Sequence, residues 1–237
     1  FRAPHHTVTA AGLLGGGTPP RPGEVSLAHR GLLFLDELPE FSRAALEGLR
    51  EPIEEGQVRL VRARHALEFP ARFQLMAAMN PCPCGYLGHP GRNCIDTAAS
   101  VARYQAKVSG PLLDRMDLIV PVVPVPPDQL AGSVPGEGSE AVRARVHAAR
   151  RRQRARLDGT PYACHAQVPA HGHTLDRLCP LTNAGRETLL RVATHRGLSP
   201  RAQHRLRRVA ATLSDLRQRE GAEPFLPVGP RDILAAA

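Results

Sequence analysis

The sequence predicts an α/β fold with a parallel sheet, followed by a separate helical domain. Three short apolar runs, residues 31–35, 73–79 and 118–123, have the length and continuous hydrophobicity of strands buried on both faces of a parallel sheet. Segments with helical spacing lie between these runs, and such an alternation is typical of parallel sheets. After residue 138 the apolar spacing is helical throughout, which predicts the second domain.

The remaining elements of the first half follow from caps and alternation. Ser42 and Thr97 are good N-cap residues, and Gly56 ends the helix that Ser42 begins. Alternating apolar and polar residues between this glycine and residue 69 predict a hairpin. In chain order these elements are a helix over 7–14, a helix over 42–54, hairpin strands over 57–62 and 65–69, and a helix over 97–108.

The second half begins after a stretch rich in Pro and Gly, which predicts a linker over residues 127–138. The core is accordingly assigned to residues 1–126 and the helical domain to residues 139–237. The predicted helices of that domain cover residues 139–157, 183–196, 200–217 and 230–237.

Composition excludes several classes of protein. Of 237 residues, 42% are apolar, which is enough for a packed core and excludes a disordered tail. Aromatic residues make up 4% and Trp is absent, which argues against a β-sandwich and against a carbohydrate-binding module. No apolar run is long enough to span a membrane, so we expect no membrane association. Five cysteines and no visible leader peptide predict a reducing, cytoplasmic setting without disulfides.

Positive charge is concentrated in the second half. Residues 1–130 contain 13 basic and 13 acidic residues, so the whole net charge of +9 lies beyond them. The predicted helix over 139–157 contains seven arginines and one acid, Glu140. Such a helix can contact nucleic-acid phosphates, but it can equally be solvated or pair with acids of a neighbouring subunit.

The apolar run before Asp36 and Glu37 has the arrangement of a Walker B motif. In nucleotide hydrolases an Asp at the end of a buried strand anchors Mg²⁺, and a neighbouring Glu orients the attacking water. Any buried strand can also run into an acidic turn, so this motif alone favours the site only modestly.

Three further residues are candidates for a nucleotide site that includes these carboxylates. Asn80 follows the next strand and can reach a phosphate or hold water, although Asn before Pro is also an ordinary turn. Arg115, just before the third predicted strand, can stabilise phosphate charge across a subunit boundary or form a surface salt bridge. Arg201, in the first turn of the third long helix, can contact phosphate or be simply solvated.

The cysteine-rich loop over residues 80–96 offers a partial zinc site. Cys82, Cys84 and Cys94 supply three ligands of a tetrahedral site, and His89 or Asp96 could supply the fourth. The alternative is three reduced cysteines without a metal. A second group of Cys and His residues between 164 and 179 has a spacing that matches no standard site.

Four segments together resemble the bacterial YifB/ComM family of magnesium-chelatase-like AAA+ proteins. They are FRAPHH at residues 1–6, LAHRGLLFLDELPEF at 27–41, MNPCPCG at 79–85 and SGPLLDRMD at 109–117. The resemblance implies an AAA+ P-loop NTPase core with a helical lid domain, an insert in helix 2 over residues 5–26 and a hairpin before sensor 1 over residues 57–69.

The same resemblance implies the residue roles and cofactors. Asp36 and Glu37 would be Walker B, Asn80 sensor 1, Arg115 the arginine finger and Arg201 sensor 2, with ATP and Mg²⁺ as ligands. Family members typically carry a second Cys pair where this sequence has Cys94 and Asp96, which puts the implied Zn²⁺ in doubt.

The family resemblance implies a hexameric ring that hydrolyses ATP and moves DNA during recombination or transformation. The hairpin would face the central pore, where Arg59, Arg62 and Arg64 could grip DNA phosphates. The alternatives are a chaperone-like ATPase that remodels a protein partner, as in magnesium chelatase, and an inactive remnant.

The sequence does not contain a phosphate-binding P-loop. Its single Lys, Lys107, is followed by Val, whereas a P-loop requires Gly-x-x-x-x-Gly-Lys-[Ser/Thr]. The family resemblance implies that this segment lies N-terminal to Phe1 in a longer protein, so we expect this chain alone to bind ATP poorly and to be inactive.

Overall fold

The computed structural model describes residues 1–62, 65–125, 136–169, 173–218 and 226–237. The chain forms two compact units, Phe1–Pro124 and Val125–Ala237. Most of the predicted linker, residues 127–135, lies outside the described residues.

The first unit alternates short helices and strands. Its helices are α1 (Ala10–Leu14), α2 (Glu24–Leu27), α3 (Arg43–Gly48), α4 (Arg50–Glu55), α5 (Ala98–Gln105) and α6 (Gly110–Leu113). Its strands are β1 (Gly15–Gly16), β2 (Arg21–Pro22), β3 (Leu32–Leu35), β4 (Gln57–Arg62), β5 (His65–Pro70) and β6 (Gln74–Ala77).

The centre of the first unit is the parallel pair β3–β6. The register joins Leu32 to Gln74 and Leu35 to Ala77, so both strands end at the same edge of the sheet. On the other side of β3, the backbone of Arg2 forms a parallel bridge to Leu33. Leu33 and Leu35 are fully buried on one face of β3, whereas Leu32 and Phe34 on the other face are only partly buried. No residue of β6 is fully buried, so the prediction that these two runs are buried on both faces is wrong.

The helix predicted over residues 42–54 is divided into α3 and α4 at Leu49. Pro52 explains the break, because it has no N–H to donate and its ring conflicts with the carbonyl four residues earlier. The Ser42 cap is confirmed, since its side chain accepts a hydrogen bond from the Ala45 N–H. Gly56, at a φ of 69°, ends α4 in the left-handed conformation that glycine favours.

The predicted strand over residues 118–123 does not form. The segment has no ladder partner among the described residues, and Leu118, Ile119 and Val122 are 64%, 71% and 90% exposed. Apolar, β-branched residues favour a strand only where a neighbouring strand pairs with the backbone and covers the side chains. The pattern therefore indicated strand propensity correctly, but the prediction of a strand over residues 118–123 is wrong.

The hairpin prediction is confirmed, because β4 and β5 pair antiparallel from Gln57–Pro70 to Arg62–His65. The segment over residues 5–26 contains α1, a two-stranded ribbon of β1 and β2, and α2. The ribbon lies against the hairpin, since a Cβ added to Gly15 would come within 3.4 Å of Leu60.

The second unit is helical. Its helices are α7 (Ser139–Leu157), α8 (His173–Leu178), α9 (Asn183–Arg196), α10 (Pro200–Arg217) and α11 (Pro230–Ala236). Thr182 and Ser199 cap α9 and α10 through their side chains, as their residue types favour. Among the α-helices of this unit within the described residues, α8 alone was not predicted. The apolar core includes Leu157, Leu206 and Ile233.

A buried polar network joins α7 to α10. Arg156 forms a bidentate ion pair with Asp215, at 2.9 Å from Nη2 to Oδ1 and 3.2 Å from Nη1 to Oδ2. Arg152 donates to the Asp215 carbonyl at 2.9 Å, and His165 lies between Arg156 and Thr212. Burial, followed by the charge of Arg156, lowers the pKa of His165 to about 4, so this imidazole is neutral at pH 7.

This network corrects one expectation about the basic helix. Two of its seven arginines, Arg152 and Arg156, are buried and hold α7 in place rather than facing solvent or a partner. A charge count cannot reveal this, because the carboxylate that pairs with Arg156 lies 59 positions further along the chain.

No helix in the described part of the chain is both long enough and apolar enough to cross a membrane.

Candidate nucleotide site and cysteine cluster

Asp36, Glu37 and Asn80 lie at one edge of the first unit's sheet. The carboxylates follow β3 directly, and Asn80 comes three positions after the end of β6. Beyond the ladder the segments that follow β3 and β6 remain hydrogen-bonded to each other. The Ala78 N–H donates to the Leu35 carbonyl at 3.0 Å, and the Leu38 N–H donates to the Ala78 carbonyl at 2.9 Å. All three side chains are exposed, so the edge presents carboxylate and amide oxygens to solvent.

The turn after β3 has an unusual backbone. Glu37 has a φ of 53° and a ψ of 47°, the left-handed region that non-glycine residues rarely adopt. The Asp36 carboxylate accepts a hydrogen bond from the Glu37 N–H at 2.9 Å and supports this turn. Strained backbone of this kind is concentrated at functional sites.

Sequence analysis missed His6 as a site residue. Its Nδ1 lies 3.0 Å from Oε2 of Glu37, and its ring packs edge-on against Phe41. The bridge from Arg2 to Leu33 brings this N-terminal segment beside β3. His6 lies in the FRAPHH motif, but nothing in that motif alone indicates which carboxylate it meets.

Arg115 is held inside the first unit. Its Nη2 lies 2.9 Å from Glu54 Oε2 and its Nη1 donates to the Pro111 carbonyl at 2.7 Å. The side chain is only 11% exposed, and burial, followed by the charge of Arg50, lowers its pKa. In this conformation the guanidinium is directed to α4 and α6 rather than to solvent.

Arg201 belongs to the second unit, whereas the sheet edge belongs to the first. It lies in the first turn of α10, directly after the Ser199 cap and Pro200, and it is exposed.

Of the three hairpin arginines, the structure describes the side chain of Arg59 alone. Its Nε lies 3.0 Å from Oε1 of Glu68, its cross-strand neighbour, so the pair is neutral overall. The backbone of Arg62 pairs with His65, but its side chain, like all of Arg64, lies outside the described residues.

Three cysteines and one aspartate converge in the loop after Asn80. The Sγ atoms of Cys82, Cys84 and Cys94 are 3.4, 3.5 and 3.6 Å apart, and Asp96 Oδ2 lies 3.7 Å from the Cys94 sulfur. A tetrahedral site with Zn–S bonds of about 2.3 Å requires sulfurs about 3.8 Å apart, so the donor set fits Zn²⁺. His89, the other candidate ligand, is not part of this group.

The loop geometry orients the donors. The Cys84 N–H donates to Asp96 Oδ2 at 2.8 Å, and the Leu87 N–H donates to the Cys82 sulfur at 3.3 Å. Hydrogen bonds from the Cys84 side chain and backbone hold the pKa of Asp96 below its ordinary value, so this group is a carboxylate. In the described part of the chain, this is the one group of three or more potential metal ligands.

Comparison with known proteins identifies the class. The sequence model of the family "magnesium chelatase, subunit ChlI" matches residues 1–130, and the family model of the ChlI C-terminal region matches residues 136–224. The chain therefore belongs to the magnesium chelatase ChlI family, which is of the AAA+ ATPase type.

Individual relatives agree with this assignment. The chain is 44% identical to YifB of Escherichia coli over 219 residues and 42% identical to the competence protein ComM of Haemophilus influenzae over 217 residues. A Mycobacterium tuberculosis protein is 44% identical over 218 residues. These alignments cover 91–92% of the chain but only 41–42% of each relative, so the chain spans less than half the length of these proteins. The resemblance inferred from the motifs is confirmed.

Proposed function

We propose that the protein is a ring-forming AAA+ ATPase, hexameric in its active state, that hydrolyses ATP between subunits and translocates DNA. The family supports ATP and Mg²⁺ as ligands, and a relative named as a competence protein supports a role with incoming DNA. The observation that carries the proposal is the grouping of Asp36, Glu37 and Asn80 at the carboxyl edge of the parallel pair β3–β6.

Each residue of this edge has a role that its chemistry suits. Asp36 would hold Mg²⁺, because hard cations prefer carboxylate oxygens, and the bound cation would neutralise phosphate charge. Glu37 would orient the attacking water and accept its proton, with His6 fixing the carboxylate's direction. The Asn80 amide would hold the same water or a phosphate oxygen.

The two arginines would complete the site from elsewhere. Arg115 would stabilise charge on a neighbouring subunit's phosphate, which requires its guanidinium to leave Glu54. Arg201 would contact phosphate from the second unit. On this proposal the exchange of Glu54 for phosphate would couple nucleotide state to the position of α4.

The test is ATP hydrolysis by the protein expressed with whatever sequence precedes Phe1 in its reading frame, with and without forked DNA. We expect hydrolysis that rises several-fold with DNA. The matched control is the same protein with double-stranded DNA lacking a fork, which separates structure-specific stimulation from a general effect of polyanions.

A protein-remodelling ATPase is the second candidate. The ion pair between Arg59 and Glu68 favours it, because this pairing makes Arg59 less available to bind phosphates. Hydrolysis that is indifferent to both DNA forms would contradict the DNA motor and support this candidate.

We also propose that Cys82, Cys84, Cys94 and Asp96 bind one Zn²⁺. The sulfur spacing and the oriented Asp96 carboxylate support this site. Its position directly after Asn80 suggests a structural role, in which the metal would fix the loop that follows the sheet edge.

The expected result is one equivalent of Zn²⁺ retained by the purified chain after dialysis, measured by elemental analysis. Cys94→Ser should abolish retention, and Asp96→Ala should weaken affinity at least about tenfold. Cys164→Ser is the matched control and should retain the metal, since it lies outside the cluster. A metal-free wild-type chain that also fails to bind added Zn²⁺ would refute the site.

A further inference from the structure

The exposed side of helix α7 carries a stripe of three arginines and one histidine, which has no role in the proposed nucleotide site. At 100° per residue, Arg143, His147, Arg150 and Arg154 lie within about 60° of one another on the helix surface. All four are exposed, and no carboxylate among the described residues pairs with the three arginines. We call these four residues the α7 stripe.

The opposite side of the helix is fixed to the rest of the second unit. Among the buried positions of α7, Ala149, Arg152 and Arg156 are centred about 160° away from the stripe. Arg152 and Arg156 bind Asp215 of α10, so the helix cannot rotate about its axis. The stripe is therefore presented to solvent in a single orientation.

We propose that the α7 stripe is a binding surface for the phosphate backbone of one nucleic-acid strand. The three arginines and the histidine are spaced about 6, 4.5 and 6 Å along the helix axis, a total of about 16.5 Å. The three arginines are therefore far enough apart for each to contact a different phosphate of one strand.

Other polyanionic partners fit less well. A protein interface would place apolar and aromatic side chains at its centre, and the stripe has none. A membrane-surface helix needs an apolar face to insert into lipid, whereas the side of α7 away from the stripe is packed on the second unit and contains buried arginines. The stripe contains no Phe, Tyr or Trp on which bases could stack, so binding would be insensitive to base sequence.

This inference rests on the proposed DNA function and places the contact with DNA phosphates on the second unit rather than on the hairpin.

The test is binding of a fluorescein-labelled oligo(dT) 20-mer to the 237-residue chain without nucleotide, over a range of salt concentrations. The triple variant Arg143→Ala, Arg150→Ala, Arg154→Ala should bind at least about tenfold more weakly at low salt. Because each lost phosphate contact removes about 0.7 from the slope of log K against log salt, the slope should become shallower by about two.

A matched control removes the same charge elsewhere. The triple variant Arg21→Ala, Arg103→Ala, Arg177→Ala changes three exposed arginines on three different elements. It should retain the wild-type slope, and both variants should keep the wild-type circular dichroism and thermal midpoint.

Equal losses in the two triple variants would overturn the proposal, since they would show a response to net charge alone. Wild-type binding by the stripe variant, or binding to anionic vesicles but not to DNA, would also overturn it. Failure of the proposed motor is distinguishable, because it would appear as ATP hydrolysis indifferent to DNA while the stripe still determined the salt slope.

Discussion

Replacing Glu37 with Gln is expected to lower ATP hydrolysis by about 10²–10⁴-fold while ATP binding is retained. The amide has nearly the shape of the carboxylate but cannot accept a proton from water. It can still accept a hydrogen bond from His6, so the contact at the end of β3 is preserved. Asp36, the proposed magnesium ligand, is unchanged in this variant.

The experiment compares turnover and nucleotide binding in the protein that includes its natural N-terminal sequence. Glu40→Gln is the matched control, because Glu40 is also exposed and follows β3 but pairs with Lys107. Its turnover should remain within about twofold of wild type. Unchanged turnover in the Glu37 variant would remove this residue from the proposed role. A joint loss of ATP binding would instead indicate a structural defect at the turn.

Replacing Asp215 with Ala is expected to destabilise the second unit by about 3–5 kcal/mol, because it leaves Arg156 buried without its carboxylate. The Asp215 side chain is fully buried and the Arg156 side chain is 2% exposed, so water cannot replace the lost partner. Loss of the pair would leave the bond from Arg152 to the backbone carbonyl of residue 215 in this network but weaken the attachment of α7 to α10.

Hydrogen exchange of the 237-residue chain, followed by mass spectrometry of peptides from α7 and α10, measures this effect separately from the first unit. Asp158→Ala is the matched control, since Asp158 is exposed at the C-terminal end of α7. It should change stability by no more than about 0.5 kcal/mol. Equal exchange rates in the two variants would show that the buried pair contributes little.

Much of the architecture could be predicted because it depends on local pattern. A continuous apolar run followed by two carboxylates predicted β3 and its acidic end, and helical spacing over residues 200–217 predicted α10. The grouping of Asn80 with Asp36 and Glu37 followed from one geometric rule, that parallel strands end at the same edge of a sheet. The motifs were also sufficient to predict the family.

Contacts between distant residues could not be predicted. His6 meets Glu37 only because the Arg2 bridge places the N-terminal segment beside β3. Arg115 is buried against Glu54, a pairing that its own neighbours in sequence do not suggest. Residues 118–123 have strand propensity, but a strand also needs a partner, and propensity does not say whether one is present.

Helix α7 shows most clearly which properties depend on the sequence alone and which depend on the tertiary structure. The sequence by itself determined that residues 139–157 are helical and strongly cationic, since both properties depend only on residue type and spacing. Which arginines face solvent was decided by the tertiary structure, through the buried carboxylate of Asp215 and the packing of α7 on α10. The physical reason is that burial of a charge requires a counter-charge, and the position of that counter-charge is set by the fold.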